Sequence, residues 1–156
     1  DSPRDVQTYD QKPEMSEPGV ADAVAKAVLE NKYALIVVNF ANGDMVGHTG
    51  NLEAAVKAIE AVDAGVKKIA EAADKTGAVM VITADHGNSD QLFEPSINEP
   101  HTRHTMNPVE VIIYGKGMEG LKLRQGGNLG DIAPTVLQLM GLKPPAEMTG
   151  KSLIIQ

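Results

Sequence analysis

Five side chains in three short segments have the types and spacing for divalent-metal chemistry. Asp44 and His48 lie in NGDMVGHTG at 42–50, Asp85 and His86 in ADHGN at 84–88, and His104 in HTRHT at 101–105. Three imidazoles and two carboxylates offer nitrogen and oxygen together, a mixture that Zn²⁺ or Mn²⁺ accepts. Five ligands are too many for one catalytic metal that keeps an open position. They are enough for much of a two-metal site, of the kind that clamps oxygens in phosphoryl transfer. A plainer reading stands beside this one: Asp and Asn after strands make Asx turns and cap helices, and a loop histidine is commonly just solvated. Three of the four histidines are among these five side chains, two of them with an aspartate close by, and that coincidence favours the metal reading. Everything then depends on whether the three segments meet.

The elements that must bring them together follow from periodicity. Val20, Val24, Val28 and Leu29 predict a helix over 19–31. YALIVVNF at 33–40 is a nearly continuous apolar run rich in β-branched residues, the pattern of a strand buried on both faces. Leu52, Val56, Ile59, Val62, Val66, Ile69 and Ala73 step by three and four and predict a long helix over 51–75. Its apolar stripe should pack on a sheet, with Glu53, Lys57, Glu60, Lys67, Lys68 and Glu71 outward and Gly77 as the C′ residue. AVMVITA at 78–84 and VEVIIY at 109–114 read as further strands, with a short one at 121–124. Asp131 is placed to cap a helix over 132–140, with Pro134 in its first turn and Gly141 after its end.

Buried strands alternating with amphipathic helices predict an α/β fold, a mostly parallel sheet flanked by helices. In such sheets ligands gather beyond the C-terminal strand ends. Asp44 and His48 follow the strand 33–40, and Asp85 and His86 follow the strand 78–84 directly. Asp44 and His48 are four apart, so one helical turn would put both on one face. His101 and His104 precede a strand, which puts them at the far edge unless the long segment 87–107 reaches back. Whether the two form their own ligand pair, or one of them meets substrate, stays open at this level.

Bulk properties exclude several classes. With 156 residues, 42% of them hydrophobic and only 3% aromatic, the chain is about one domain with an aliphatic core. A net charge of −7 and a pI near 5.0 argue against a nucleic-acid surface and against anionic membranes. No cysteine is present, so thiolate metal sites and a Cys nucleophile are excluded. No apolar run approaches the roughly 18 residues of a membrane span, and no signal peptide opens the chain, so a cytoplasmic enzyme is expected. Residues 1–18, with Pro3, Pro13 and Pro18, read as a connector, and 19–156 as the body. Hydroxyls near the loops belong to Thr49, Thr83, Ser89, Thr102 and Thr105. None sits in a nucleophile elbow, and the chain has no phosphate-cradling loop or dinucleotide fingerprint.

The motifs also carry a resemblance. ANGDMVGHTG at 41–50, TADHGN at 83–88, HTRHT at 101–105, NPV at 107–109, LGDIAPT at 129–135 and MTGKSL at 148–153, with YD at 9–10 and KPEMS at 12–16, closely resemble cofactor-independent phosphoglycerate mutase. The likeness runs in order over nearly the whole chain. It implies the alkaline-phosphatase-like fold, here as a partial domain. The implied activity is glycolytic: interconversion of 3-phosphoglycerate and 2-phosphoglycerate through a phosphoserine, with two Mn²⁺. By the same resemblance Asp44, His48 and His104 are ligands of one metal, and Asp85 and His86 of the other. Zn²⁺, Mg²⁺ or Co²⁺ would suit the same donors. Members of that family are longer. The resemblance puts their nucleophilic serine, a further aspartate ligand, a catalytic lysine and the substrate-binding domain ahead of Asp1. It therefore implies a monomeric parent that acts on phosphoglycerate and an isolated chain without turnover. Such a chain is expected to self-associate through an uncovered sheet edge. The alternatives are another metal phosphomutase or phosphatase of the superfamily, or an inactive metal-binding fragment.

Overall fold

The computed structural model describes residues 2–96 and 98–155. After a 3₁₀ turn at Tyr9–Gln11 come helices α1 (Glu17–Glu30), α2 (Asn42–Gly47) and α3 (Leu52–Thr76) and strand β1 (Met80–Thr83). Two very short strands, β2 (Phe93–Glu94) and β3 (Glu99–Pro100), interrupt the long connection to β4 (Val111–Tyr114). Strand β5 (Lys122–Leu123), a 3₁₀ turn at Leu129–Asp131, helix α4 (Ile132–Leu139) and strand β6 (Ile154–Ile155) complete the order.

Helix α3 begins where Asn51 accepts the Ala54 N–H at 3.1 Å. It ends at Gly77, whose φ of +75° a residue with a Cβ would adopt only at a cost. Its buried face is Ala54, Ala55, Ala58, Gly65, Ile69, Ala72 and Ala73. This corrects the expected stripe: Leu52, at 64% exposed, and Val56 and Ile59 face outward. Ile69 and Ala73 of that stripe are buried as expected, while over the first half of the helix the buried face lies about one residue step, roughly 100°, from the large aliphatics. Small side chains let two helix axes approach closely, so α3 packs on α1, through Ala21 and Ala25, and on α2. It does not pack on a sheet through its large residues. The charged residues expected outward are all exposed.

The segment 33–40 forms no ladder among the described residues, and Val37 is 84% exposed. Its composition announces a strand that requires burial, but a strand exists only where a neighbour supplies hydrogen-bonding groups. The expectation of parallel pairing needs a similar correction, since all three described ladders are two-stranded and antiparallel. β1 pairs with β4 in the register Met80↔Tyr114 to Thr83↔Val111. The connection between them folds back on itself and contains no crossover helix, which is what a parallel pair requires. Both strands are half-exposed, not buried.

Met15, Val46, Ala54, Ala55 and Ala58 form the principal core, with Tyr9, Ala41, Met45 and Leu92 against it. Residues 1–18, expected as a connector, thus supply Tyr9 and Met15. The Asn42 amide donates to the Pro13 carbonyl at 2.8 Å and the Glu14 carbonyl at 3.0 Å. These bonds moor the start of α2.

A second knot closes the C-terminal region. Asp131 Oδ1 accepts the Lys151 N–H at 2.8 Å, and Oδ2 accepts the Asn128 N–H at 2.9 Å and meets Arg124 Nη2 at 2.7 Å. The expected side-chain cap on α4 is therefore not made; the carboxylate instead completes a capping box on the preceding 3₁₀ turn. Thr135 Oγ1 donates to the Asp131 carbonyl and accepts from the Leu153 N–H.

Two consequences are measurable. The Lys151 and Asn128 N–H groups, then Arg124, lower the Asp131 carboxyl from the ordinary 3.8 to about 2. A depressed carboxyl stabilises the fold when ionised, so its contribution is complete above the unfolded-state pKa and fades as pH falls from about 4 to about 2. Denaturant unfolding followed across that window should show this loss, and D131N should be less stable at neutral pH with a flatter acid limb. A Cβ added at Gly150 would overlap the Gly130 carbonyl, which is backbone and cannot swing aside. Gly150→Ala should therefore cost about 1–3 kcal/mol in the same measurement.

Candidate metal centre

The short helix α2 carries Asp44, and His48 follows it directly. One turn separates them, and His48 Nε2 lies 3.2 Å from Asp44 Oδ1. Asp85 and His86 follow β1 immediately, as the strand-end argument expects. The open question was the long loop, and it does reach back. The Thr105 N–H donates to the Gly87 carbonyl at 2.8 Å, an isolated antiparallel bridge that folds His104 onto the end of β1. The His104 ring stacks on His86, with centroids 3.7 Å apart and planes at 21°, and lies 5.0 Å from the His48 ring. His104 Nε2 is 3.0 Å from Asp44 Oδ1 and 3.2 Å from His48 Nε2.

One ligand atom each from Asp44, His86 and His104 lies within 4.8 Å of the others. Asp85 sits at the margin of the cluster, with its side chain 71% exposed and Oδ2 3.7 Å from His86 Nε2. His101 is not one of these grouped donors; its backbone N–H donates to the Leu92 carbonyl.

The ring tautomers follow from what the second nitrogens touch. His48 Nδ1 is 2.8 Å from the Thr102 carbonyl, and His86 Nδ1 is 3.3 Å from the Gly87 carbonyl. A carbonyl oxygen only accepts, so both Nδ1 atoms carry the donated hydrogen, and the neutral form of each ring is the tautomer that presents its Nε2 lone pair. Bare imidazole nitrogens beside a carboxylate are the donor set of a borderline divalent cation. The side chains of His104 and His48 are 50% and 40% exposed, so the cluster opens to solvent on one side.

Two contributors were not legible as such from the sequence. Asn88 Nδ2 donates to Asp44 Oδ1 at 2.7 Å and to the Asp44 carbonyl at 3.2 Å. Its only sequence signal is its place two residues after His86. Asp90 accepts from Asn107 Nδ2 at 2.6 Å and from Thr105 Oγ1 at 3.0 Å, pinning the loop that carries His104. Desolvation works to raise the Asp90 pKa, but these hydrogen bonds outweigh it and hold the carboxyl below its usual range. Four of the five hydroxyls considered as nucleophiles already donate to protein oxygens. Thr49 bonds the Val46 carbonyl, Thr83 the Glu110 carbonyl, Ser89 the Gly43 carbonyl and Thr105 the Asp90 carboxylate.

Over residues 2–144 the sequence matches the family described as Metalloenzyme superfamily. It is 54% identical over 153 residues to a protein from Rhodopirellula baltica and 55% identical over 150 residues to one from Roseobacter denitrificans. Both are named 2,3-bisphosphoglycerate-independent phosphoglycerate mutase. These matches cover 98% and 96% of the chain but 28% and 29% of the relatives. The chain thus spans less than a third of their length. A solved structure of Leishmania mexicana phosphoglycerate mutase at low cobalt concentration superposes with a TM-score of 0.88 at 35% identity, covering 99% of this chain and 30% of that one.

The geometry makes Asp44 and His104 central and His101 peripheral. Titration with Mn²⁺, followed by loss of the free-ion electron paramagnetic resonance signal, should show Asp44→Ala or His104→Ala weakening binding by at least about 100-fold, beyond the usual cost of losing an outer-shell partner. His101→Ala should change it by less than about twofold.

Proposed function

Since this chain belongs to the metalloenzyme superfamily, we propose that it is the metal-binding part of a cofactor-independent phosphoglycerate mutase. The whole protein would interconvert 3-phosphoglycerate and 2-phosphoglycerate in cytoplasmic glycolysis. The observation that carries this reading is the convergence of Asp44, His86 and His104 from three separate segments onto one point. Relatives and a structural neighbour named phosphoglycerate mutase support it.

Asp44, His48 and His104 would hold one metal, with Asp85 and His86 serving the second, and Mn²⁺ is the ion proposed for both. The bound ions supply Lewis acidity toward phosphoryl oxygens and lower the pKa of an attacking hydroxyl. The chain's own residues prepare the place. The Thr102 and Gly87 carbonyls keep His48 and His86 in the tautomer that presents Nε2, and the Gly87–Thr105 bridge sets the His104 ring against His86. A chain of net charge −7 repels a phosphorylated substrate, so positive charge at this cluster offsets the local field. With Thr49, Thr83, Ser89 and Thr105 donating elsewhere, the phosphoserine nucleophile is proposed to lie outside these residues.

The test is an assay of the whole protein that carries this chain. With Mn²⁺ and no bisphosphoglycerate added, it should convert 3-phosphoglycerate to 2-phosphoglycerate, and Asp44→Ala should lower kcat/KM at least about 100-fold, the loss of several kcal/mol of transition-state stabilisation. Release of inorganic phosphate without isomer formation would replace the mutase with a phosphatase. Unimpaired turnover in Asp44→Ala would remove the cluster from the mechanism.

A further inference from the structure

The hydrogen bonds around Asp44 include one that the ligand set does not account for. Asn88 is 5% exposed, on the loop after β1, and it is not itself one of the metal-type donors. Its amide nitrogen reaches across to α2 and takes both the side-chain oxygen Oδ1 and the main-chain carbonyl of Asp44, at 2.7 and 3.2 Å. Its own carbonyl oxygen is buried and has no hydrogen-bond partner among the described residues. Nothing on the acceptor side therefore orients this carboxamide; its two bonds to Asp44 do. The reverse rotamer would set a carbonyl oxygen against a carboxylate, which is repulsive, so the orientation is determined by the charge it serves.

The packing is arranged to admit this contact. A Cβ on Gly47 would overlap Asn88 Oδ1 and crowd Ser89 Oγ, so the bare backbone of α2 is what lets the loop come so close. Ser89 adds a second bond to the same helix, through the Gly43 carbonyl. His48 Nε2 and His104 Nε2 meet the same Asp44 oxygen that Asn88 holds.

We propose that Asn88 is a positioning residue for the metal centre: it fixes the Asp44 carboxylate in the one orientation in which Oδ1 faces both His48 and His104, and Gly47 provides the space for it. This rests on the reading of Asp44 as a ligand. Outer-shell partners that orient a ligating carboxylate typically contribute about 10–100-fold to metal affinity.

A double-mutant cycle tests it in the whole protein, with Mn²⁺ as the probe and the free-ion resonance signal as readout. Asn88→Ala should raise the Mn²⁺ Kd by about 10–100-fold, and Asp44→Ala by at least as much. The double variant should bind no more than about twofold worse than Asp44→Ala alone, because Asn88 acts only through Asp44. Multiplying effects in the double variant, or native affinity in Asn88→Ala, would overturn the proposal. Native affinity in Asp44→Ala would instead overturn the ligand reading on which it rests. A second measurement needs no change at Asn88. In the metal-free protein the Asn88 side-chain amide protons should exchange slowly with solvent, and their nuclear magnetic resonance signals should move in Asp44→Ala. Fast exchange and unmoved signals would show that the carboxamide is not held by that carboxylate.

Discussion

One carboxylate oxygen, Asp44 Oδ1, is where three parts of the chain meet. His48 approaches from one turn along the same helix, His104 from the long loop, and Asn88 from the end of β1. Each contact is within hydrogen-bonding distance, and those of His104 and Asn88, which come from outside α2, would be lost if it were displaced by more than about an ångström. The position of this six-residue helix is therefore the constraint that the rest of the structure serves. A helix so short has almost no stability of its own. It stays in place because Val46 is fully buried in the principal core and because Asn42 is bonded to the carbonyls of Pro13 and Glu14.

The supporting scaffold is built mainly from small residues. Alanines and Gly65 on α3 allow a close approach to α1 and α2, which substitutes proximity for side-chain bulk. The aromatic-poor composition is consistent with this. A core of Ala, Val and Met fills narrow spaces between helices, whereas large rings would hold the axes apart. The C-terminal region does not join the principal core and relies on a polar knot around Asp131, where two backbone N–H groups and a guanidinium satisfy both carboxylate oxygens.

Much of the candidate cluster is legible in residue types and spacing. The i,i+4 relation of Asp44 and His48 and the strand-end placement of Asp85 and His86 needed only periodicity. His104 was readable as a candidate, but its arrival at the cluster depends on a bridge between Gly87 and Thr105, a long-range pairing without local signature. Asn88 was hidden for a similar reason, since its value lies in a partner 44 positions away. The departures at α3 and at 33–40 share one cause. Apolar periodicity reports which residues need burial and says nothing of what buries them. Leu52, Val56 and Ile59 of α3 and most of the run 33–40 satisfy the pattern and are left exposed here, while the alanine face of α3, weak in hydrophobicity, is the one that packs, together with Ile69. Pairing direction departs from the parallel expectation because β1 and β4 are linked by a reversing loop and not by a helix.

The two rings nearest Asp44 lie far apart along the chain, with His48 and His104 separated by 56 positions. Closing a segment of that length costs conformational entropy that no contact within the cluster can offset until both ends are already held. The helices α1, α2 and α3 are contiguous in sequence and can assemble through near neighbours, but the donor cluster cannot. It is complete only when the loop that carries His104 is docked through the Gly87–Thr105 bridge. Any opening of that bridge, even with the helical layer intact, dissolves the constellation into separate, ordinary side chains.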